Sequence, residues 1–240
     1  MKINDYIWIV IPVYNHSGTL KNVVEKTLKY TCNVLVIDDG SNDADISEIL
    51  KNLNVKLIKH NINRGKGAAL RTAAEYLQKN TSASYIITLD ADGQHSPDDI
   101  QKFLPFIDEN SSNIILGNRD FTSSNVPEKS KFGRKFSNFW IKLETGQEVF
   151  DSQSGFRGYP INLLTDYKCI SEHYAFETEI LVRGVWAGLS VVNVNISVYY
   201  PEKNKRISHF HPFIDNFRIS LIHSRLTFEK FIRILFRKNV

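Results

Sequence analysis

The chain has 240 residues, of which 42% are hydrophobic and 23% charged, a balance typical of a globular protein with one large domain. With two cysteines and no run of roughly 18 apolar residues, the sequence excludes a disulfide framework and a membrane-spanning segment. No secretory signal is visible at residues 1–5, so we expect a cytoplasmic protein.

The net charge of +4 is unevenly distributed. Residues 211–240 contain six basic and two acidic residues, which accounts for the whole excess. The rest of the chain has equal numbers of basic and acidic residues and carries no nucleic-acid-binding motif, so no nucleic-acid partner is predicted.

In the first half of the chain, short apolar runs alternate with helical patterns. In chain order, the predicted elements are a strand at 7–13, a helix at 20–30, a strand at 34–37, a helix at 45–53, a strand at 55–59, a helix at 63–79 capped by Asn63, a strand at 85–89, a helix at 96–108 capped by Ser96, and a strand at 114–116. This alternation predicts an α/β fold with a mostly parallel sheet and helices on both faces. Ligands bind such sheets beyond the carboxyl ends of the strands.

The second half is less regular. We expect a helix at 131–143, a turn and strand at 154–159, a helix at 174–187, a strand at 189–199, and a basic loop at 201–209. Residues 213–238 have helical periodicity, with Phe213, Phe217, Leu221, Phe228, Phe231, Ile232 and Leu235 on one face and most basic residues elsewhere. Ile219, Ile222, Leu226 and Ile234 interrupt this separation.

Two carboxylates, Asp90 and Asp92, follow the predicted strand 85–89. At about 5 Å and an effective dielectric of about 20, their repulsion is about 3 kcal/mol, which a divalent cation would relieve. Oxygen ligands from Asp90, Asp92 and Gln94 suit Mg²⁺ or Mn²⁺ and leave positions for a pyrophosphate. A plain Asp-Gly turn is the alternative interpretation of this segment.

Five motifs occur in order along residues 7–200: IPVYN at 11–15, VIDDGS at 36–41, NRGKGAA at 63–69, DADGQH at 90–95 and SGFR at 154–157. The series resembles the family-2 inverting glycosyltransferases of GT-A fold, which are Rossmann-like, and the forms DADGQH and SGFR resemble its polyprenol-phosphate branch. The resemblance implies a catalytic domain at 1–210 that transfers a sugar from a nucleotide-sugar to a polyprenyl phosphate or another lipid, in cell-envelope chemistry.

The resemblance also implies roles for individual residues. The catalytic residues would be Asp90, Asp92, Arg119 and Glu177, and the metal ligands Asp90, Asp92 and Gln94. The nucleotide-sugar would be bound by Pro12, Tyr14, Asn15, Ile37, Asp38, Asp39, Arg64, Lys66, Asp90, Ala91, Asp92, Arg119, Lys205 and Arg206. One position departs from the family pattern, because His16 stands where a glutamate is frequent, and this leaves the donor open.

The acceptor determines whether a base is needed. A phosphate is already anionic near neutral pH and can attack the anomeric carbon without one. It needs cations, for which Arg134, Arg157, Lys203, Lys205 and Arg206 are candidates. A sugar hydroxyl would instead need a carboxylate base, for which Glu177, Glu179 and Asp151 are candidates.

The basic amphipathic tail at 211–240 predicts docking on an anionic membrane surface, which would place the protein on the inner face of the membrane. Packing of this tail on the domain or on a second copy is the alternative, and a homo-oligomer is left open. Two other functions also stay open: transfer to a glycan or lipid-sugar hydroxyl, and a non-catalytic nucleotide-sugar-binding subunit.

Overall fold

The computed structural model describes residues 3–120, 128–167, 169–200 and 212–237. The strands in these ranges are β1 (Ile7–Val13), β2 (Val34–Asp38), β3 (Lys56–Lys59), β4 (Tyr85–Thr88), β5 (Asn113–Arg119), β6 (Arg157–Pro160) and β7 (Ser190–Ile196). The helices are α1 (Ser17–Thr27), α2 (Ile46–Leu50), α3 (Lys66–Asn80), α4 (Ile100–Phe103), α5 (Glu128–Thr145), α6 (Ile161–Asp166), α7 (Ala175–Trp186) and α8 (Pro212–Arg237).

The described strands form one seven-stranded sheet in the order β3-β2-β1-β4-β6-β5-β7. The strand β6 pairs with β4 and β5 in the antiparallel direction, and all other pairs in this sheet are parallel. The sheet is therefore mostly parallel, as predicted. The first strand is almost continuously apolar because it is buried on both faces of the sheet.

Helices cover both faces and divide the core in two. One apolar cluster contains side chains of α3, α6, α7 and α8, and the other contains side chains of α1, α2 and α4. The small residues of α3, such as Ala69 and Ala73, are fully buried and let this helix lie close to the sheet. The α/β fold with helices on both faces is confirmed.

Two predicted helices differ from the structure. Asn63 does not cap α3, because Gly65, whose φ of 90° favours glycine, is the N-cap and the helix begins at Lys66. The predicted helix 96–108 is not continuous: α4 lies between two 3₁₀ turns, Pro97–Asp99 and Leu104–Phe106. Pro105 lies in the second turn, where a proline interrupts the α-helical hydrogen bonds. No helix is predicted at the position of α6.

The C-terminal helix α8 packs against the domain through Ile219, Ile222 and Leu226, which belong to the core. These are residues that interrupt the predicted apolar face. They form a second stripe at spacings of three and four residues, so α8 has one apolar stripe inward and one outward. A buried polar contact joins α8 to α5, with His223 Nδ1 2.9 Å from Glu144 Oε1.

Candidate functional site

Three polar segments meet at the carboxyl edge of the sheet, where β1, β2 and β4 end. The backbone N–H of Asn15 donates to Ser41 Oγ at 3.1 Å, and the Asn42 N–H donates to Asn15 Oδ1 at 2.9 Å. Thr19 Oγ1 donates to the Ala91 carbonyl at 2.6 Å. The structure thus brings together the segments that the sequence places after separate strands.

Asp38 and Asp39, after β2, are both buried. Asp39 accepts from the backbone N–H groups of Arg64 at 3.0 Å and Gly65 at 2.8 Å, and its Oδ1 lies 2.7 Å from His60 Nδ1. Asp38 Oδ1 accepts from the Ser41 N–H at 2.8 Å. Both carboxylates therefore stabilise the loops at this edge, and His60 is a partner that sequence patterns do not reveal.

Lys66 lies between two carboxylates. Its Nζ is 2.6 Å from Asp90 Oδ1 and 3.0 Å from Glu177 Oε1. Burial alone would raise the pKa of Asp90, but the Lys66 ammonium lowers it below the usual value. Burial would likewise lower the pKa of Lys66, whereas Asp90 and Glu177 raise it. The first carboxylate of the DADGQH motif is therefore compensated by a lysine.

Asp92 differs from Asp90 in its surroundings. Burial, followed by the neighbouring charge of Asp90, raises the pKa of Asp92 to about 6. Its Oδ1 accepts from the Gln94 backbone N–H at 2.9 Å, which holds the turn. The ionised form of Asp92 is thus destabilised by burial and by Asp90, and a bound cation would stabilise it.

The oxygen donors of this loop fit Mg²⁺ or Mn²⁺. No group of three or more His, Cys, Asp or Glu side chains in the described part of the chain could hold a metal ion. A cation would therefore take oxygens from Asp92, Gln94 and Asp90 and complete its shell with water and substrate phosphate, as Mg²⁺ commonly does. The predicted ligand set remains a prediction.

His95 is buried beside this loop. Its Nε2 lies 4.0 Å from Asp90 Oδ2, and its ring centroid lies 5.7 Å from that of Phe156. Burial lowers the pKa of His95 to about 4, so the imidazole is neutral at physiological pH. The backbone of His95 pairs with Val198, which ties the loop to the segment after β7.

Arg119, at the end of β5, is held by Asp151. Its Nε and Nη2 donate to the two carboxylate oxygens at 2.6 and 3.0 Å. Burial would lower the pKa of Arg119, but the hydrogen bonds and charge of Asp151 raise it. Asp151 was a candidate base in the sequence, and the structure shows it as the buried partner of Arg119.

The prediction that Arg157 contacts an acceptor phosphate is wrong. The side chain is fully buried, and its guanidinium donates to the backbone carbonyls of Ser154 at 2.6 Å and Glu177 at 2.8 Å. It also lies 3.8 Å from Glu177 Oε1. Arg157 therefore stabilises the turn before β6 and the start of α7.

A cavity of about 760 Å³ opens beside Arg119. It is lined by Asn118, Arg119, Asp120, Arg134, Lys135, Asn138, Val149, Phe150, Asn195 and Ile196. Three of these residues are cationic, and Arg134 and Lys135 come from α5. Two hydrogen bonds fix this part of α5 next to Asp151: Asn138 Nδ2 donates to the Phe150 carbonyl at 2.8 Å, and the Ser152 N–H donates to Asn138 Oδ1 at 3.0 Å.

The helices next to this cavity carry exposed apolar stripes. On α5, Phe132 and Phe139 are 71% and 62% exposed, and Leu143 continues the stripe. On α8, exposed apolar residues are Ile214, Phe217, Leu221, Phe228, Phe231, Ile232, Ile234, Leu235 and Phe236. Among the residues described, no helix is long and apolar enough to cross a membrane. Lys205 and Arg206, predicted to bind the donor, and Lys203 lie outside the described residues.

Comparisons with known proteins show the family of this chain. The sequence model of glycosyl transferase family 2 matches residues 8–167. A UDP-N-acetylglucosamine–dolichyl-phosphate N-acetylglucosaminyltransferase of Methanococcus voltae is 32% identical over 82% of this chain and 86% of its own. A polyprenol monophosphomannose synthase of Mycolicibacterium smegmatis is 27% identical over 79% of this chain and 76% of its own. In fold, the chain resembles mannosyl-3-phosphoglycerate synthase from Rubrobacter xylanophilus, with a TM-score of 0.61 at 15% identity over 97% of this chain and 74% of that one.

Proposed function

The chain belongs to glycosyl transferase family 2 and is a glycosyltransferase, and we propose that it transfers a sugar from a nucleotide-sugar to a polyprenyl phosphate with inversion. Two relatives are named for transfer to dolichyl phosphate or for synthesis of a polyprenol phosphosugar, which supports this acceptor class. The observation that carries the proposal is the cavity lined by Arg119, Arg134 and Lys135.

The position of that cavity favours a lipid phosphate. Three cations and one acid, Asp120, line it, so the lining has an excess of positive charge that favours an anionic acceptor beside an anionic donor. Phe150 and Val149 also line it, and α5, which supplies Arg134 and Lys135, carries exposed phenylalanines. In a polyprenyl phosphate, the phosphate would contact the basic residues of α5 and the polyprenyl chain would contact the exposed phenylalanines of the same helix.

The candidate bases point in the same direction. Asp151 is fully buried and paired with Arg119, and Glu179 is fully buried and paired with Arg183 at 2.9 Å. Glu177 lies between Lys66 and Arg157. The oxygens of these three carboxylates face protein cations, so none of the three is placed to accept a proton from an acceptor hydroxyl in this arrangement. A sugar hydroxyl would need such a base, whereas a phosphate acceptor does not.

The donor would lie across the ends of β1, β2 and β4. Residues proposed to contact it are Pro12, Tyr14, Asn15, Ile37, Asp38, Asp39, Arg64, Ala91, Asp92 and Arg119, with Lys205 and Arg206 still predicted from the sequence. The Asp39 carboxylate contacts His60 and two backbone N–H groups, and a carboxylate offers about four acceptor positions, so it can also accept from a nucleobase N–H. A divalent cation held by Asp92 and Gln94 would stabilise the leaving nucleoside diphosphate.

The exposed stripes on α5 and α8 support docking on the cytoplasmic face of a membrane. Basic residues flank the apolar ones on α8, where Arg225 and Arg233 are partly exposed. An apolar helix face with flanking basic residues favours an anionic lipid surface. Such docking would bring the cavity to the depth where a polyprenyl phosphate resides.

The test is transfer itself. The protein is incubated with UDP- and GDP-sugars, polyprenyl phosphate in anionic vesicles, and Mg²⁺ or Mn²⁺, and the lipids are analysed by mass spectrometry. We expect one donor to yield polyprenyl phosphate carrying one sugar, and Arg134→Met to reduce the rate while Lys142→Met, an exposed control on α5, does not. Transfer only to a soluble glycan, or no glycolipid from any donor, would exclude the proposed acceptor.

A further inference from the structure

Lys66 is the first residue of α3 and has glycines on both sides, a position typical of a phosphate ligand at a helix N-terminus. The contacts of its side chain indicate a different role. The ammonium is enclosed by Asp90 and Glu177, and the side chain is only 13% exposed. We propose that Lys66 is a positioning residue that joins the end of β4 to the start of α7 and does not contact the donor phosphates.

The backbone on either side of Lys66 is fixed. Asp39 accepts from the N–H groups of Arg64 and Gly65, and the Gly67 N–H donates to the Glu172 carbonyl at 2.7 Å. A Cβ at Gly67 would come within 2.6 Å of Phe176 Cβ, so this segment lies directly against the start of α7. The lysine therefore has little freedom to turn toward a ligand in the cleft.

The motif SGFR closes the other side of the lysine. Gly155 lies so close that a Cβ there would overlap both Asp90 Oδ2 and Lys66 Nζ. Behind Glu177, the buried guanidinium of Arg157 lies 3.8 Å from Oε1. Gly155 and Arg157 thus hold the two carboxylates around the ammonium, which explains why this turn has a glycine followed by a buried arginine.

The electrostatics agree with the geometry. Two carboxylates lie within 3.0 Å of the Lys66 ammonium, and with the Arg157 guanidinium beside Glu177 this group of four side chains has no net charge. Such a group offers little net attraction to a pyrophosphate, whereas it fixes the orientation of Asp90. Because Asp90 begins the loop that contains Asp92, Lys66 sets the position of the carboxylate that we expect to hold the cation.

The first experiment measures the coupling by thermal unfolding and needs no substrate. We compare the parent with Lys66→Met, Glu177→Gln and the double variant, using Lys21→Met as an exposed control. Lys66→Met should lower the melting temperature because Asp90 loses the ammonium 2.6 Å away and Glu177 keeps only the more distant Arg157, and adding Glu177→Gln should recover part of the loss. Additive losses in the double variant would overturn the inference.

The second experiment separates positioning from donor binding and rests on the proposed function. Binding of UDP and GDP is measured calorimetrically with a chelator and then with Mn²⁺. For Lys66→Met we expect chelator affinity to stay within about twofold of the parent, whereas a lost phosphate ligand would cost about tenfold or more. We also expect a weaker gain on adding Mn²⁺, and a fall in kcat with little change in the donor KM.

A negative result for the role of Lys66 can be distinguished from a negative result for the proposed sugar transfer. If no sugar transfer is found, the unfolding cycle and the chelator measurement still report on Lys66. If Lys66→Met and the double variant both lose chelator affinity by about tenfold while remaining folded, Lys66 contacts the donor and the inference is wrong. In that case the proposed function stands unaffected.

Discussion

The carboxylates at this site differ in the groups that they contact, although three of them come from two short motifs of the sequence. Asp90 is compensated by Lys66, and Asp39 accepts from backbone N–H groups. Burial and the charge of Asp90 raise the pKa of Asp92 to about 6, and no ion pair with Asp92 is found among the described residues. The side chain that would gain most from a cation is therefore Asp92.

Replacement of Asp92 should consequently remove most of the metal-dependent activity. We expect Asp92→Asn to lower kcat by about 100-fold or more, because stabilisation of the leaving group is lost. Asp98→Asn is the matched control, since Asp98 lies on the surface and contacts Tyr30. The measurement is transfer rate against Mn²⁺ concentration. An unchanged response for Asp92→Asn would exclude Asp92 as a ligand.

His95 should make the protein sensitive to acid. Its pKa is lowered to about 4 when folded, against an ordinary value of 6.5, so between these limits the unfolded chain binds more protons. The resulting loss of unfolding free energy from pH 7 to pH 5 is about 2 kcal/mol. His95→Gln should lose less stability over this range, as measured by denaturant unfolding in a chelator. Equal losses in parent and variant would contradict the burial effect.

For single residues, the sequence predicts which polar segments lie at the strand ends, but it does not predict which side chains contact one another. The segments at 14–16, 38–41 and 90–95 were predicted at strand ends, and the structure brings them together. The pairing of Arg119 with Asp151 joins residues 32 positions apart, which no local pattern encodes. Arg157 was misinterpreted because an arginine after a glycine turn looks like an exposed phosphate ligand, whereas tertiary packing buries it.

Among the elements, α8 is predicted as a helix, but the sequence pattern identifies only one of its two apolar faces. The outward stripe at Phe217, Leu221 and Phe228 is exposed, as membrane docking requires. The inward stripe at Ile219, Ile222 and Leu226 interrupts the apolar periodicity of the sequence. Periodicity alone does not show whether such residues form a second buried face or are scattered apolar residues. The same limit applies to β6, whose antiparallel direction depends on the path of the whole chain.

The two stripes predict opposite effects on stability. Leu226→Ala removes a fully buried side chain and should lower the unfolding free energy by about 2–5 kcal/mol. Leu221→Ala removes an exposed side chain of the same size and should change it by less than about 0.5 kcal/mol. Urea denaturation of the two variants measures the contrast. Similar values would mean that α8 does not pack on the domain as described.

For the molecule as a whole, we expect binding to a membrane surface through the exposed apolar stripes of α5 and α8 and the basic residues beside them. Phe132 and Phe139 on α5, and Phe217 and Phe228 on α8, are well exposed, more than a soluble surface ordinarily needs. Since the helices pack against each other, we expect both to contribute to binding a membrane surface.

Flotation with vesicles tests this behaviour. Phe217→Ser with Phe228→Ser should abolish flotation with anionic vesicles while the melting temperature stays near that of the parent, because both side chains are exposed. Raised salt should weaken binding of the parent, since part of the attraction is electrostatic. Ser220→Ala with Ser224→Ala, on the same helix, serves as the control. Full flotation of the phenylalanine variant would exclude α8 as the contact.

The inward face of α8 has a consequence for how the protein is made. Every other described element precedes α8 in the chain, yet α8 supplies Ile219, Ile222 and Leu226 to a core that also contains α3, α6 and α7. During synthesis these helices therefore emerge with part of their apolar surface uncovered, a state in which nascent chains tend to aggregate or bind other apolar surfaces. The packing of these helices is therefore completed by a helix whose opposite face is the proposed membrane contact, so we expect the last step of folding and membrane docking to involve the same element.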